Sequence, residues 1–214
     1  MKILKKGFTL AEILITLTII GVVAAVTLPA LQNNVNKQAL EKQTVKAFNT
    51  LVEAHDRYLA DNHLDNVNPA FISPNNVRRY FNVVAQGTTD DTGFFADSYT
   101  SVDGSNNKFH DLLVPSNEVY QLADGTVFTF GSGAGKSGNC ISAKVDVNGP
   151  NGPNIIGYDY WIVRIDVPAE IPNPDEWGGY TDISDDASVK EECLEGNAYG
   201  CYGHFMRNGF KFDY

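Results

Sequence analysis

Residues 5–29 read KKGFTLAEILITLTIIGVVAAVTLP, and the reading of this stretch decides the fold. Two lysines and a glycine give way abruptly to an apolar run from Phe8 to Leu28 whose only charge is Glu12. A helix of about 20 apolar residues covers the ~30 Å hydrocarbon core of a bilayer, and this run meets that length. Lys2, Lys5 and Lys6 precede it. The positive-inside bias keeps them cytoplasmic and sends the C-terminal body across the membrane. A secretory signal peptide is the plain alternative, and Val23-Ala24-Ala25 offers small residues for cleavage. Glu12 argues against it, because an acid in the apolar region costs about 2.5–3.5 kcal/mol on insertion scales and serves nothing there. The nearby sequence offers this carboxylate no partner. A cut between Gly7 and Phe8 would create one. The new α-amino group would lie at the membrane edge, and a neighbouring copy shifted along the helix axis would set its amine against Glu12. At low dielectric that attraction is strong, so the acid becomes a register mark for stacking identical helices.

These residues resemble the N-terminal signature of type IV pilins and type II secretion pseudopilins. The resemblance implies a basic leader ending in Gly7, cut by prepilin peptidase. It implies N-methylation of the new terminus at Phe8, and a role in subunit assembly for Glu12. Pro29 matches a proline common at the end of the family's membrane segment. The implied fold is α+β and pilin-like: a long N-terminal helix whose outer half packs on a small antiparallel β-sheet. The expected organisation is a leader at 1–7, a transmembrane and assembly helix at 8–30, an amphipathic continuation at 31–62, and an extracytoplasmic β-rich body at 63–214. The expected function is that of a structural subunit, not an enzyme, in a type IV pilus-like or type II secretion filament. The alternative is a minor tip subunit that binds a substrate or surface through its loops. The implied partners are other copies or related pilins, prepilin peptidase, an inner-membrane assembly platform and the lipid bilayer. The chain would sit in the inner membrane by a single pass, with its body in the periplasm or outside the cell, before joining the filament.

The helix is expected to run from about Phe8 to about Asn62, roughly 80 Å. Pro29 can kink it. Leu31, Val35, Ala39, Phe48, Val52 and Leu59 mark an imperfect stripe at helical spacing, read as a face buried on the protein's own sheet. Beyond "DNHLDNVNPAF" (61–71) the chain reads as β. "EVYQLADGTVFTFG" (118–131) has two β-rich arms around Asp124-Gly125, a hairpin signal. "CISAKVDV" (140–147) and "YDYWIVRIDV" (158–167) are further strands, and Asn208-Gly209 precedes a short terminal strand. The polar stretches 86–108 and 166–192 read as surface loops.

The chain has 214 residues and a formal charge of -10, which argues against nucleic acid as a partner, because phosphate binding needs clustered Lys and Arg. "FGSGAGKSG" (130–138) fails as a phosphate-binding loop, because Phe130 stands where the first glycine is required and a strand follows. The four histidines, His55, His63, His110 and His204, carry no motif and read as surface residues. The loop "DVNGPNGPNIIGYD" (146–159) collects Asp146, Asn148, Asn151, Asn154 and Asp159. Calcium takes six to eight such oxygens, and the resemblance supports the idea, since the major pseudopilins bind calcium in a C-terminal loop. Asx turns that satisfy their own backbone are the competing reading. No cofactor is otherwise required. Of the 3 cysteines, Cys193 and Cys201 bracket "CLEGNAYGC" and are expected to form a disulfide, leaving Cys140 as a buried thiol or an intermolecular link.

Overall fold

The structure is a computed structural model that describes residues 9–65, 68–107, 117–133, 140–164, 186–196 and 198–214. One helix, α1 (Leu10–Asn62), opens the chain and is helical across Pro29. The chain divides into two compact units, Met1–Ala39 and Leu40–Tyr214, with the boundary inside α1. In the first unit Leu10, Leu14, Ile15, Leu17, Ile20 and Val22 are exposed around the helix, at 56–79% of their surface. Among the described residues, no helix is long and apolar enough to cross a membrane.

The second unit is α+β, consistent with a pilin-like fold. After α1 come a 3₁₀ turn (Pro69–Ile72) and a short helix, α2 (Pro74–Tyr80). The strands are β1 (Val83–Thr88), β2 (Tyr99–Thr100), β3 (Asn106–Asn107), β4 (Glu118–Leu122), β5 (Val127–Gly133), β6 (Cys140–Asp146) and β7 (Tyr160–Arg164). Five form an antiparallel sheet in the order β1-β4-β5-β6-β7, while β2 and β3 pair by themselves. Two helices, α3 (Asp186–Leu194) and α4 (Ala198–Arg207), follow. The β4–β5 hairpin turns at Asp124-Gly125, where Gly125 takes φ +92°, a backbone that favours glycine.

Strand pleating sorts the core into two faces. Tyr120, Phe128, Val145 and Trp161 lie across from one another in register and face α1. Phe48 of α1 meets Trp161, Tyr202 and Phe205 edge-on, with ring centroids 5.6, 5.0 and 6.3 Å away. Phe71 closes the other end against Tyr58, Phe81 and Phe130. On the opposite face Tyr160 meets Phe95 and Tyr99, and all three are buried.

Four expectations need correction. The buried stripe of α1 in the body is Glu41, Thr44, Ala47, Phe48, Leu51, Ala54, His55 and Tyr58, whereas Ala39 is exposed, Val52 and Leu59 lie at its margins, and the side chains of Leu31 and Val35 lie outside the described residues. The described residues of 86–108 are not a loose surface loop, because 86–88 belong to β1 and Phe95 and Tyr99 are buried against Tyr160 on one face of the sheet. Of the proposed loop 166–192, residues 186–192 are helical, and the rest lies outside the described residues. No strand follows Asn208-Gly209. Ala198, Cys201, Tyr202 and Phe205 recur at i, i+3, i+4 and i+7 and bury one side of α4 instead. Gly200 lies inside this helix for close approach, since a Cβ there would stand 3.1 Å from Cβ of Glu192.

Phe48→Ala removes three edge-on ring contacts and leaves a void between α1, β7 and α4. It is expected to destabilise the body by about 3–5 kcal/mol. Urea unfolding of the full chain in detergent, followed by Trp fluorescence, measures this. An unchanged midpoint would mean that this ring does not hold the helix to the sheet.

Candidate functional site

Gly7 and Phe8 lie outside the described residues, so the site at the N-terminus is built from Thr9 onward. Glu12 is not without a local partner, which corrects the sequence reading. Its Oε2 accepts hydrogen bonds from the Thr9 backbone N (2.7 Å) and from Thr9 Oγ1 (2.8 Å). The Glu12 backbone N donates back to Thr9 Oγ1 at 3.3 Å. This reciprocal pair is a capping box, with Thr9 as N-cap and Glu12 at the third helical position. The pattern T-L-A-E at 9–12 spells the box, and it is the signal that reading Glu12 as a lone charge passes over. The box holds the carboxylate at the helix N-terminus, where the macrodipole favours an anion.

The second candidate site is the β6–β7 connection. Asp146 and Asp159 are both fully buried. The Tyr99 hydroxyl donates to Asp146 Oδ2, and the Asn148 backbone N donates to Oδ1 at 3.1 Å. Asp159 receives the backbone N–H groups of Asn154 and Ile155, each at 2.7 Å. Asn148 Nδ2 donates to the Gly152 carbonyl, and the exposed Asn151 donates through Nδ2 to the Asn148 carbonyl. The Asx-turn bonds are therefore present. Yet two side-chain oxygens, Asn148 Oδ1 and Asn154 Oδ1, are buried without a hydrogen-bond partner. Orphaned buried acceptors beside paired carboxylates are the donor set a hard cation takes. Asp146, Asp159, Asn148 and Asn154 thus carry oxygen donors of the kind calcium takes, while Asn151 lies exposed. Among the described residues, no group of three or more His, Cys, Asp or Glu side chains could hold a metal, so the amide oxygens would have to complete the set.

Burial pushes Asp159 up to about 6 and raises Asp146 well above the ordinary carboxylate value, with the Asp159 charge adding to the effect on Asp146.

Around this connection lies a third cluster. Cys193 and Cys201 form a disulfide that joins α3 to α4, with Sγ atoms 2.07 Å apart. Cys140 has no described side chain. The C-terminal residues fold back beside the bridge. Phe212 stacks on Trp161 at 6.2 Å and packs against Tyr158 and Phe205. Glu41 of α1, 6% exposed, accepts from the Phe212 backbone N and from Lys211 Nζ, both at 3.0 Å. Asp213 bonds His204 Nε2 at 2.6 Å and Lys190 Nζ at 3.0 Å. The histidines correct a further expectation: His55 and His204 are buried, His63 is exposed, and His110 lies outside the described residues.

In the absence of a cation the two buried acids make stability depend on pH in a defined sense. A raised carboxyl binds a proton in the folded state that the unfolded chain releases, so stability falls as pH rises through about 4 to 7. The two-unit rise at Asp159 corresponds to about 3 kcal/mol across that window. Asp124 and Asp213 act in the opposite sense, because bonds to Lys46 and Thr126, and to His204 and Lys190, outweigh burial. They titrate below the ordinary 3.8 and leave the window above it unaffected. Urea midpoints measured with chelator should therefore drop between pH 4.5 and 7, and Asp159→Asn should flatten the drop. A rising midpoint would contradict the burial of these acids.

The comparisons with known proteins bear on the first site. No curated protein sequence and no solved structure matches the chain. One family description matches, the prokaryotic N-terminal methylation motif, over residues 4–28. That interval holds Gly7, Phe8, the Thr9–Glu12 capping box and the exposed apolar segment, and it points to a structural subunit rather than an enzyme. The chain carries the prepilin signature of the type IV pilins and pseudopilins.

Proposed function

We propose that this chain is a structural subunit of a type IV pilus-like or type II secretion filament, which polymerises through its N-terminal helix after prepilin peptidase cuts between Gly7 and Phe8 and methylates Phe8. The observation that carries the reading is the apolar surface of α1 around Glu12. Leu10, Leu14, Ile15, Leu17 and Ile20 are all more than half exposed, and a single carboxylate stands among them within the methylation motif. Such a surface needs lipid before assembly and other helices after it. The Thr9 cap engages one carboxylate oxygen of Glu12, leaving its negative charge for the α-amino group of a neighbouring copy. Repeated head-to-tail, that contact is heterologous and extends without closing. The tip-subunit alternative is less favoured, because the segment 86–108 that would serve it as a free loop spends its aromatic residues on the sheet.

The mass of the mature chain is expected to begin at Phe8 with one added methyl group. Glu12→Gln is expected to insert normally, since a costly charge is gone, but to yield filaments at a small fraction of the parent level. A terminus near Ala25 would instead establish an ordinary signal peptide, and full filament yield from Glu12→Gln would remove the charge-pairing mechanism.

For the loop 146–159 the reading is calcium, bound by Asp146, Asp159, Asn148 and Asn154, which fixes the β6–β7 connection. A cation that binds only the folded chain stabilises it by about 2.7 kcal/mol at a hundredfold excess over Kd. The full chain in detergent should melt at higher temperature with calcium than with chelator, and Asp146→Ala with Asp159→Ala should abolish the difference. Identical melting in both conditions would leave the Asx turns as the whole purpose of these residues.

A further inference from the structure

We propose that the Cys193–Cys201 disulfide sets the conformation of residues 154–159, so that oxidation of these two thiols fixes the candidate cation loop. The contact is made at Gly157. This glycine takes φ +90°, and a Cβ there would stand 2.6 Å from Cys201 Sγ and 3.1 Å from Cys193 Sγ. The bridge therefore lies directly against the main chain of the loop, with no side chain between them.

The same residue ties the loop together. Gly157 N donates to the Tyr160 carbonyl at 3.0 Å, and its carbonyl accepts the Tyr214 hydroxyl at 2.6 Å. Two residues further on, Asp159 holds the backbone N–H groups of Asn154 and Ile155. Thr100 pairs with the segment from the other side, through Thr100 N to the Asn154 carbonyl (3.0 Å) and Ile156 N to the Thr100 carbonyl (2.9 Å). The oxygens of Asp159 and Asn154 thus take their positions from a turn whose middle rests on the two sulfurs.

Separate thiols need more room than a bridged pair, because unbonded sulfur atoms stand apart at van der Waals distance. The α3–α4 contact has little slack to give, as the close approach at Gly200 shows. The added volume is directed at Gly157. The reaction is thiol–disulfide exchange with an oxidised dithiol carrier. One cysteine thiolate attacks the carrier's disulfide and expels a carrier thiolate. The second cysteine thiolate then displaces the carrier from the mixed disulfide. Two thiols are oxidised, the carrier gains two electrons as its dithiol, and the protons pass to it or to solvent. A chain kept reduced before export would have an unset loop, and oxidation outside the cytoplasm would set it.

The effect on calcium rests on the cation reading above, whereas the mechanical coupling rests on the contacts at Gly157 alone. The test is amide hydrogen exchange on the full chain in detergent with chelator present, oxidised against reduced with dithiothreitol. Cys193→Ser, which leaves an unbonded hydroxyl beside the free Cys201 thiol, serves if the reagent does not reach the buried bridge. The amides of Asn154, Ile155 and Gly157 are expected to exchange at least about tenfold faster without the bridge, with the β4–β5 hairpin unchanged. Unchanged loop exchange overturns the proposal. So does uniform acceleration or failure to fold, because the disulfide would then hold the whole body rather than this loop. A parallel calcium titration separates the two ideas. About tenfold weaker calcium binding without the bridge extends the coupling to the ligand. Absence of calcium binding in both forms removes the cation reading and leaves exchange to decide the coupling.

Discussion

Phe48 is the wedge on which the body is assembled. Its ring presents a face or edge to Trp161 on β7 and to Tyr202 and Phe205 on α4, three partners from two elements far apart in sequence. A helix, a central sheet and a helical hairpin can share one core only if a large rigid side chain fills the space where they meet. The C-terminal residues depend on the same cluster, since Phe212 stacks on Trp161 and packs on Phe205. The placement of Glu41 on α1 follows from it, because the carboxylate meets Lys211 and the Phe212 amide only where the aromatic contact has brought the chain end to the helix. A buried acid so placed has two hydrogen-bonded partners, which offset the cost of burying it.

What the sequence disclosed depended on whether one residue carried the signal locally. Asp124-Gly125 between β-rich arms announced the β4–β5 hairpin, because only a turn uses that dipeptide with alternating apolar flanks. The apolar run with one acid announced the N-terminal segment, and the end of α1 at Asn62 was legible in the polar residues that follow it. The helical hairpin α3–α4 was not legible. Gly196 and Gly200 between the two cysteines suggest a turn, whereas Gly200 lies inside α4 and admits the neighbouring helix. The segment 93–101 hid its purpose in the same way. Its polar residues read as a loop, but Phe95 and Tyr99 decide its position by packing on Tyr160, a contact no local pattern records. At the candidate sites, residue type was legible and satisfaction was not. The carboxylates of loop 146–159 were evident in the sequence, but the orphaned oxygens of Asn148 and Asn154 exist only once the loop has closed.

Glu12 illustrates how one side chain serves two scales. Locally it completes the first turn of α1 with Thr9, binding donors that would otherwise lack partners at a helix start. In the proposed filament its charge would distinguish one axial register from another along the apolar segment of α1. The cap is what makes the second use practicable, because it fixes the carboxylate in one rotamer at the end of the helix rather than leaving it to search.

The bulge in β1 has a consequence for crowding. Strand β1 lies at the end of the sheet order and its register on β4 shifts between Val83 and Ala85, leaving Val84 as the extra residue, 58% exposed. An unbroken edge strand presents a ladder of donors and acceptors on which another strand can grow. Subunits held side by side at high local concentration are the circumstance in which such growth would be hardest to stop. The bulge interrupts the ladder after one residue and twists the strand away from a flat approach. In the proposed filament, order among neighbours would thereby be left to the helices.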